Sequence, residues 1–313
     1  MEFLSQYGLF LLKSLTVVIA CLVVLVAFFA LSRKPRPKLQ INSLNEQYDD
    51  INARMTKEIL GKKPEKKKKK KNKDEQPKLY VIDFIGDIKA SQVEQLRDEV
   101  TATLAIAKPD DEVLVRLDSP GGSVNGYGLA ASQLQRIRDR KIPLTVSIDK
   151  VAASGGYLMA CVANTILAAP FAIIGSIGVV AQIPNFHKWL KKNNIDIELL
   201  TAGEYKRTLT VLGENTESGR RKFQEDLELI HTAFRNYVLN NRKQLDIDKV
   251  STGEHWLATD AFDLKLVDRL ITSDDYLVNK MQSHKAFTIA MQSKSTLASK
   301  LLKPVMRLMH PWG

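Results

Sequence analysis

Ser154 lies in VAASGGYLMA (residues 151–160), set among small residues, followed by two glycines and then an aromatic–aliphatic run. Gly155 and Gly156 let another backbone or a ligand approach this serine closely. The pattern is not the G-x-S-x-G elbow of the α/β-hydrolases. A serine hydroxyl is a weak nucleophile at neutral pH and needs a base. Acyl transfer also needs two N–H groups aimed at the developing oxyanion. The turn SPGG, Ser119–Gly122, is suited to supply one such amide, and the amide beside Ser154 the other, because N–H groups at a helix start are unpaired. The same glycines would also serve as tight strand–helix turns with no chemistry at all.

The base has two kinds of candidate. Five histidines are present: His187, His231, His255, His284 and His310, none at a glycine turn. The other candidate is Lys206, in AGEYKRTLT just past an expected strand end. A lysine is a base only when neutral, and its ordinary pKa is about 10.4. Holding it neutral near pH 7 requires about 4 kcal/mol of differential destabilisation, through burial or a nearby cation. Tyr205 and Leu209 offer an apolar setting and Arg207 a like charge, while Glu204 opposes them.

Strand–helix alternation positions these residues. LYVIDFIG (79–86), EVLVRLD (112–118), PLTVSID (143–149), TILAAP (165–170) and IDIELLT (195–201) read as strands. Residues 90–107, 123–140, 154–163, 185–194 and 216–242 read as helices, and the chain from about residue 285 reads as a basic helical extension. This order predicts an α/β fold with a mostly parallel sheet, whose ligands bind beyond the carboxyl ends of the strands. Three glycine turns fall there: Ser119–Gly122, Ala152–Gly156 and Gly175–Gly178.

Charge and hydropathy set the organisation. The net charge of +11 is concentrated in residues 33–78, which hold 16 Lys/Arg against 7 Asp/Glu. A nucleic-acid-binding surface spread over the folded part is therefore not indicated. Leu15–Leu31 is uncharged, and with GLFLL before it approaches the roughly 20 residues that cross a bilayer core. The basic flank after it and the absence of a basic N-terminus favour a retained anchor over a cleaved signal peptide. The positive-inside rule then places the body in the cytoplasm. Lys66–Lys71 reads as a solvated linker that also suits anionic lipid headgroups, and a short helix is expected around Glu46–Leu60. Cys21 and Cys161 exclude a clustered-cysteine zinc site and make an internal disulfide improbable. The expected segments are an anchor at 1–32, a linker at 33–78, a catalytic domain at 79–283 and the extension at 284–313.

RLDSPGGSV, VAASGGYLMA, IIGSIGVV and AGEYKRTLT, in this order and spacing, resemble the signal peptide peptidase A family of Ser-Lys serine proteases. The resemblance covers about residues 79–271, and Lys206 follows Ser154 by 52 positions, as in half-length members. It implies a ClpP/crotonase-type fold of repeated ββα units. It implies Ser154 as nucleophile, Lys206 as general base, Ser176 orienting the lysine, and Gly122 and Gly155 amides as the oxyanion hole. It further implies ring-like homo-oligomers with sites at subunit boundaries, so that Ser154 and Lys206 can come from neighbouring chains. No cofactor or metal is implied. Family members commonly face the outside of the bacterial inner membrane, opposite to the charge rule. Two positions depart from the family pattern: Asp118 replaces an asparagine, and Lys265 replaces a glycine in HWLATDAFDLKLVDRL. The function expected is a membrane-anchored endopeptidase acting on signal peptides or other segments of membrane and secreted proteins. The alternatives are a non-catalytic membrane scaffold and a crotonase-like CoA enzyme, which would not need the Ser154–Lys206 pair.

Overall fold

A computed structural model describes residues 2–32, 38–61 and 76–292, the side chains of 2–5 and 23–32 excepted. Two compact units divide the chain, Met1–Gln40 with Met291–Gly313, and Ile41–Ala290. In the first, α1 (Glu2–Ser32) is a continuous helix whose described side chains include exposed Leu9, Phe10, Leu12, Val17 and Leu22. Among the described residues no helix is long and apolar enough to cross a membrane. More than half of the expected span Leu15–Leu31 lies outside the described side chains, as do Lys66–Lys71, His310 and the rest of the extension beyond residue 292.

The larger unit follows the alternation read from the sequence. The elements run from β1 (Lys38–Ser43), whose second half opens this unit, through α2 (Leu44–Leu60), β2 (Lys78–Ile85), α3 (Val93–Leu104), β3 (Glu112–Asp118) and α4 (Val124–Asp139). β4 (Leu144–Ile148), β5 (Val151–Ala153), α5 (Gly155–Ala160), β6 (Thr165–Ala168) and β7 (Ile173–Gly175) come next. The chain continues with α6 (His187–Lys192), α7 (Glu217–Asn241), α8 (Ile247–Val250), β8 (His255–Leu257) and α9 (Ala258–Asp263). It closes with β9 (Arg269–Leu270), α10 (Ser273–Lys280) and β10 (Lys285–Gln292). Ser43 caps α2 by accepting from Glu46 N, which starts the helix expected there.

A seven-stranded sheet runs in the order β1-β10-β2-β3-β4-β6-β9, with β10-β2-β3-β4-β6-β9 parallel. β2, β3 and β4 are buried along nearly their whole length, as strands covered on both faces must be. Their side chains pack with α3, α4 and α5 on one face, around Phe84, Val115, Leu134 and Tyr157. A smaller cluster, including Leu79, Leu114 and Tyr276, lies on the other face. A second sheet, β5-β7-β8, stands at the carboxyl ends of the first, and Ser119 joins it through a parallel bridge to Ala152. β4 and β6 thus each run on into a short strand of the small sheet, β5 and β7, and β3 runs on into the Ser119 bridge; the glycine turns fall at that step.

Two segments differ from expectation. Residues 195–201 form no strand. Their alternation is genuine, but a strand needs a hydrogen-bonding neighbour, and Ile195, Ile197, Leu199 and Leu200 stay exposed in the single chain. The stretch from 285 is β10 and not helix, because it pairs in parallel with β2, Lys285 opposite Lys78 through Thr288 opposite Val81. That pairing buries Ala286 and Ile289.

Candidate active site

Ser154 occupies the corner between β5 and α5 with φ 52° and ψ −117°. A non-glycine residue at positive φ costs on the order of 1–3 kcal/mol and persists only where its surroundings over-determine it. Here the surroundings are the small sheet and α5: Ser154 N donates to Gly175 O at 2.8 Å, and Leu158 N donates to Ser154 O at 3.0 Å. The next residue after Gly175 is Ser176, also strained at φ 51° and held by its N–H to Glu254 O at 2.6 Å. The two serines therefore sit on adjoining turns, fastened by backbone bonds that leave both side chains unengaged among the described residues.

The SPGG turn comes against Ser154 from β3. Gly121 adopts φ 87°, and a Cβ there would lie 2.6 Å from Ala153 O and 2.7 Å from Ser154 Cβ, so only glycine fits. Its amide is already used, donating to Ser119 Oγ at 3.1 Å. Gly122 N has no acceptor among the described residues, and Gly155 N is the first amide of α5, also without one.

These turns open into a cleft of about 1110 Å³. Ser154, Ser176, Gly121, Gly122 and Gly155 all line it. Its walls are largely apolar, with Ile88, Leu158, Val179, Leu227, Ile230 and Phe234 among them. The far wall is α7, an amphipathic helix capped by Thr216 Oγ1, which accepts from Gly219 N at 3.1 Å. The C-terminal end of α7 is fastened by Arg242, 3% exposed at its side chain, which forks onto Asp268 with two 2.8 Å bonds.

Lys206 is not among the residues that line the Ser154 cleft, and no hydrogen bond joins the two among the described residues. It lies on an exposed turn, Lys206 N to Gly203 O 3.1 Å, and its side chain has no partner among the described residues. The apolar setting expected from Tyr205 is not formed there either: Tyr205 is 55% exposed, with the Lys222 ammonium of α7 5.7 Å from its ring centre. The physical reason is the missing strand at 195–201, which leaves the segment before Lys206 without a partner in this chain. Of the histidines, His231 lines the cleft from α7, where its Nε2 bonds Ser251 O at 2.9 Å. Its spacing on a long amphipathic helix gave no hint of this. His187 is half-buried on α6, His255 is exposed and His284 sits beyond α10 beside Ser283, none of them lining the cleft.

The two departures from the family pattern have local explanations. Asp118 pairs with Lys150 at 3.1 Å, so the carboxylate beside the SPGG turn is engaged by a cation. Lys265 follows α9 at φ 63°, the left-handed conformation in which glycine is favoured, and its carbonyl accepts from Arg242 at 2.7 Å.

The model described as "Peptidase family S49 N-terminal" matches residues 2–134, and "Peptidase family S49" matches residues 136–288. The chain is 47% identical to "Probable protease SohB" of Haemophilus influenzae, over 96% of this chain and 92% of that protein. It is 48% identical to "Probable protease SohB" of Buchnera aphidicola subsp. Schlechtendalia chinensis, over 90% of this chain and all of that one. Among solved structures, a membrane-bound stomatin-specific protease aligns at TM-score 0.46 and 15% identity, over 74% of this chain and 98% of its own. With two family models spanning nearly the whole folded chain and relatives alike end to end, the chain belongs to peptidase family S49 and is a protease.

Proposed function

We propose that this protease is a membrane-anchored serine endopeptidase in which Ser154 is the nucleophile and Lys206 the general base. The observation that carries the proposal is the strained Ser154 corner, opening into an apolar cleft beside two unengaged amides, Gly122 N and Gly155 N. Neutral Lys206 takes the Oγ proton as Oγ bonds the peptide carbonyl carbon. The oxyanion is held by the Gly122 and Gly155 amides. The ammonium then returns the proton to the leaving amine as the C–N bond breaks. Water, deprotonated by the same lysine, cleaves the resulting ester. Gly121 is excluded as a donor by its bond to Ser119 Oγ. Ser176, on the turn adjoining Ser154, orients the lysine.

Because Lys206 is exposed and does not line the cleft in one chain, the reading includes a homo-oligomer in which a neighbouring copy supplies it. Such packing would also cover Leu200, Trp189 and Phe186, which are exposed here, and would supply the desolvation that a neutral lysine requires. The short-strand steps between sheet and helix support a ClpP/crotonase-type topology. The apolar cleft favours extended segments with small or aliphatic side chains, the chemistry of signal peptides and membrane-protein segments. Such a substrate would add a strand beside the site. The N-terminal helix anchors the chain in a bacterial inner membrane, and Lys66–Lys71 contacts anionic headgroups.

The test is peptide cleavage by the purified full chain and by Ser154→Ala and Lys206→Ala. Both variants should lose turnover, activity of the native chain should rise with pH as the lysine deprotonates, and mixing the two inactive variants should restore it in part. Turnover by Ser154→Ala equal to the native rate would end the serine assignment. A maximum near pH 5 would end the lysine assignment.

A further inference from the structure

Beneath the SPGG turn, a short chain of hydroxyls is completely specified by its partners. Tyr127, on the first turns of α4, donates its O–H to Asp87 O at 2.8 Å. Having only one proton, it must then accept from Ser119 Oγ, 2.6 Å away. Ser119 Oγ has given its proton and is left as an acceptor, and it receives Gly121 N–H at 3.1 Å. The sequence of donation is Gly121 N–H to Ser119 O–H to Tyr127 O–H to the Asp87 carbonyl, and no other assignment satisfies all three bonds. Each bond polarises the next in a buried setting. Burial raises the Tyr127 phenol above its usual range.

The Tyr127 ring is equally constrained. A Cβ on Gly155 would lie 2.3 Å from Tyr127 Cγ, and one on Gly86 would lie 2.4 Å from the Tyr127 hydroxyl and 2.3 Å from Ser119 Oγ. Two glycines thus leave room for this one side chain. The ring is wedged against the backbone of Gly155, while its hydroxyl holds, through Ser119, the residue before Gly122. It also stacks edge-on with Phe84 of β2, centroids 6.4 Å apart, which ties it to the sheet.

We propose that Tyr127 is the positioning residue of the oxyanion hole: one face of its ring sets the Gly155 amide, and its hydroxyl, relayed by Ser119, sets the Gly122 amide. This rests on the reading of Ser154 as nucleophile and of those two amides as the donors. Tyr127 touches no reacting atom in this role and acts only through the two backbones.

The experiment uses the full chain with Tyr127→Phe, which keeps the ring and removes the relay. The expected result is a fall in kcat of about 10- to 100-fold, at or below the loss of a whole oxyanion donor, with KM within about twofold. A peptide aldehyde, whose adduct with Ser154 places an oxyanion in the hole, should bind more weakly by a similar factor. Binding of substrate peptide to Ser154→Ala should be unchanged by adding Tyr127→Phe. Ser119→Ala should behave like Tyr127→Phe, and the double variant should cost little more than either alone. Should Tyr127→Phe fold poorly, Ser119→Ala carries the same comparisons. Native kcat in both variants would overturn the proposal, as would equal losses of aldehyde and substrate binding, the signature of a merely structural role. If instead Ser154→Ala keeps native turnover, the nucleophile assignment falls and the proposal falls with it. An inactive Ser154→Ala beside fully active Tyr127→Phe and Ser119→Ala removes the positioning role alone.

Discussion

Arg242→Met should be among the most destabilising single changes in the larger unit. The guanidinium is 3% exposed at the end of α7 and holds three acceptor contacts, two to Asp268 at 2.8 Å and one to Lys265 O at 2.7 Å. Methionine fills the stem volume but leaves a carboxylate and a carbonyl uncompensated. Breaking a buried pair by removing one partner costs about 3–5 kcal/mol. Two features place this site at the lower end. Asp268 is 30% exposed at its side chain, and its Oδ2 retains the Ile166 amide at 2.7 Å. Arg242 Nε is itself buried without a partner, so its removal relieves part of an existing cost. A loss of about 3 kcal/mol remains, and at roughly 2–4 °C per kcal/mol for a domain of this size the midpoint should drop by about 6–12 °C. The assay is thermal unfolding of the full chain followed by circular dichroism. Arg242→Lys, which keeps the charge but not the fork, should lose about half as much, and Arg242→Met with Asp268→Asn should lose less than the two single changes summed. A shift under about 2 °C for Arg242→Met would refute the reasoning, since it would mean that α7 is not fastened through this pair.

Other consequences are equally open to measurement. Gly155→Ala drives a Cβ to 2.3 Å from the Tyr127 ring; relieving that contact moves the backbone by about 1 Å, for which a loss of about 100-fold in kcat is expected, and a kcat within twofold of native would contradict it. Lys265→Gly relieves a left-handed lysine at φ 63°, worth about 1–2 kcal/mol, against about 0.5–1 kcal/mol of added chain entropy; thermal unfolding should show a gain of about 0.5–1 kcal/mol, absent in Lys265→Ala. His284 has its pKa lowered by burial and by the Lys280 ammonium, so the unfolded chain takes up its proton first. The associated stability is complete above about pH 6.5 and is lost as pH falls below that value. His284→Gln should flatten the dependence of unfolding midpoint on pH between about 5 and 7, and an unchanged slope would count against it. His231→Gln should leave the rising limb of the activity–pH profile where it is, whereas a moved limb would assign the proton transfer to His231.

The elements that carry the site were largely readable from residue pattern. β2, β3 and β4 are continuous apolar runs because both faces of the parallel sheet are covered, and α3 and α4 show the spacing of one buried stripe. The failures share a cause. Residues 195–201 alternate like a strand, and the chain from about residue 285 reads as a basic helical extension. Whether either forms a ladder depends on an edge elsewhere: β2 supplies one some 200 positions away for β10, and none is offered to 195–201 within the chain. Periodicity reports which faces a segment can bury and is silent on which neighbour will pair with it.

The same division runs through the site. Local sequence alone determined that Ser154 stands at a small-residue corner, that glycine turns face it from two other strand ends, and that the motifs are those of the peptidase family. Backbone geometry at such corners depends on residues within a few positions, so residue type is informative there. Tertiary structure decided which amide of SPGG is unengaged, that Tyr127 contacts both Gly155 and, through Ser119, Gly121, that Asp118 pairs with Lys150, and that Lys206 is exposed and outside the cleft. A hydrogen bond consumed at Gly121 is a bond not available to substrate, and an exposed lysine outside the cleft has no contact with the serine it would serve. Both depend on atoms brought close by folding, and no spacing along the chain encodes them.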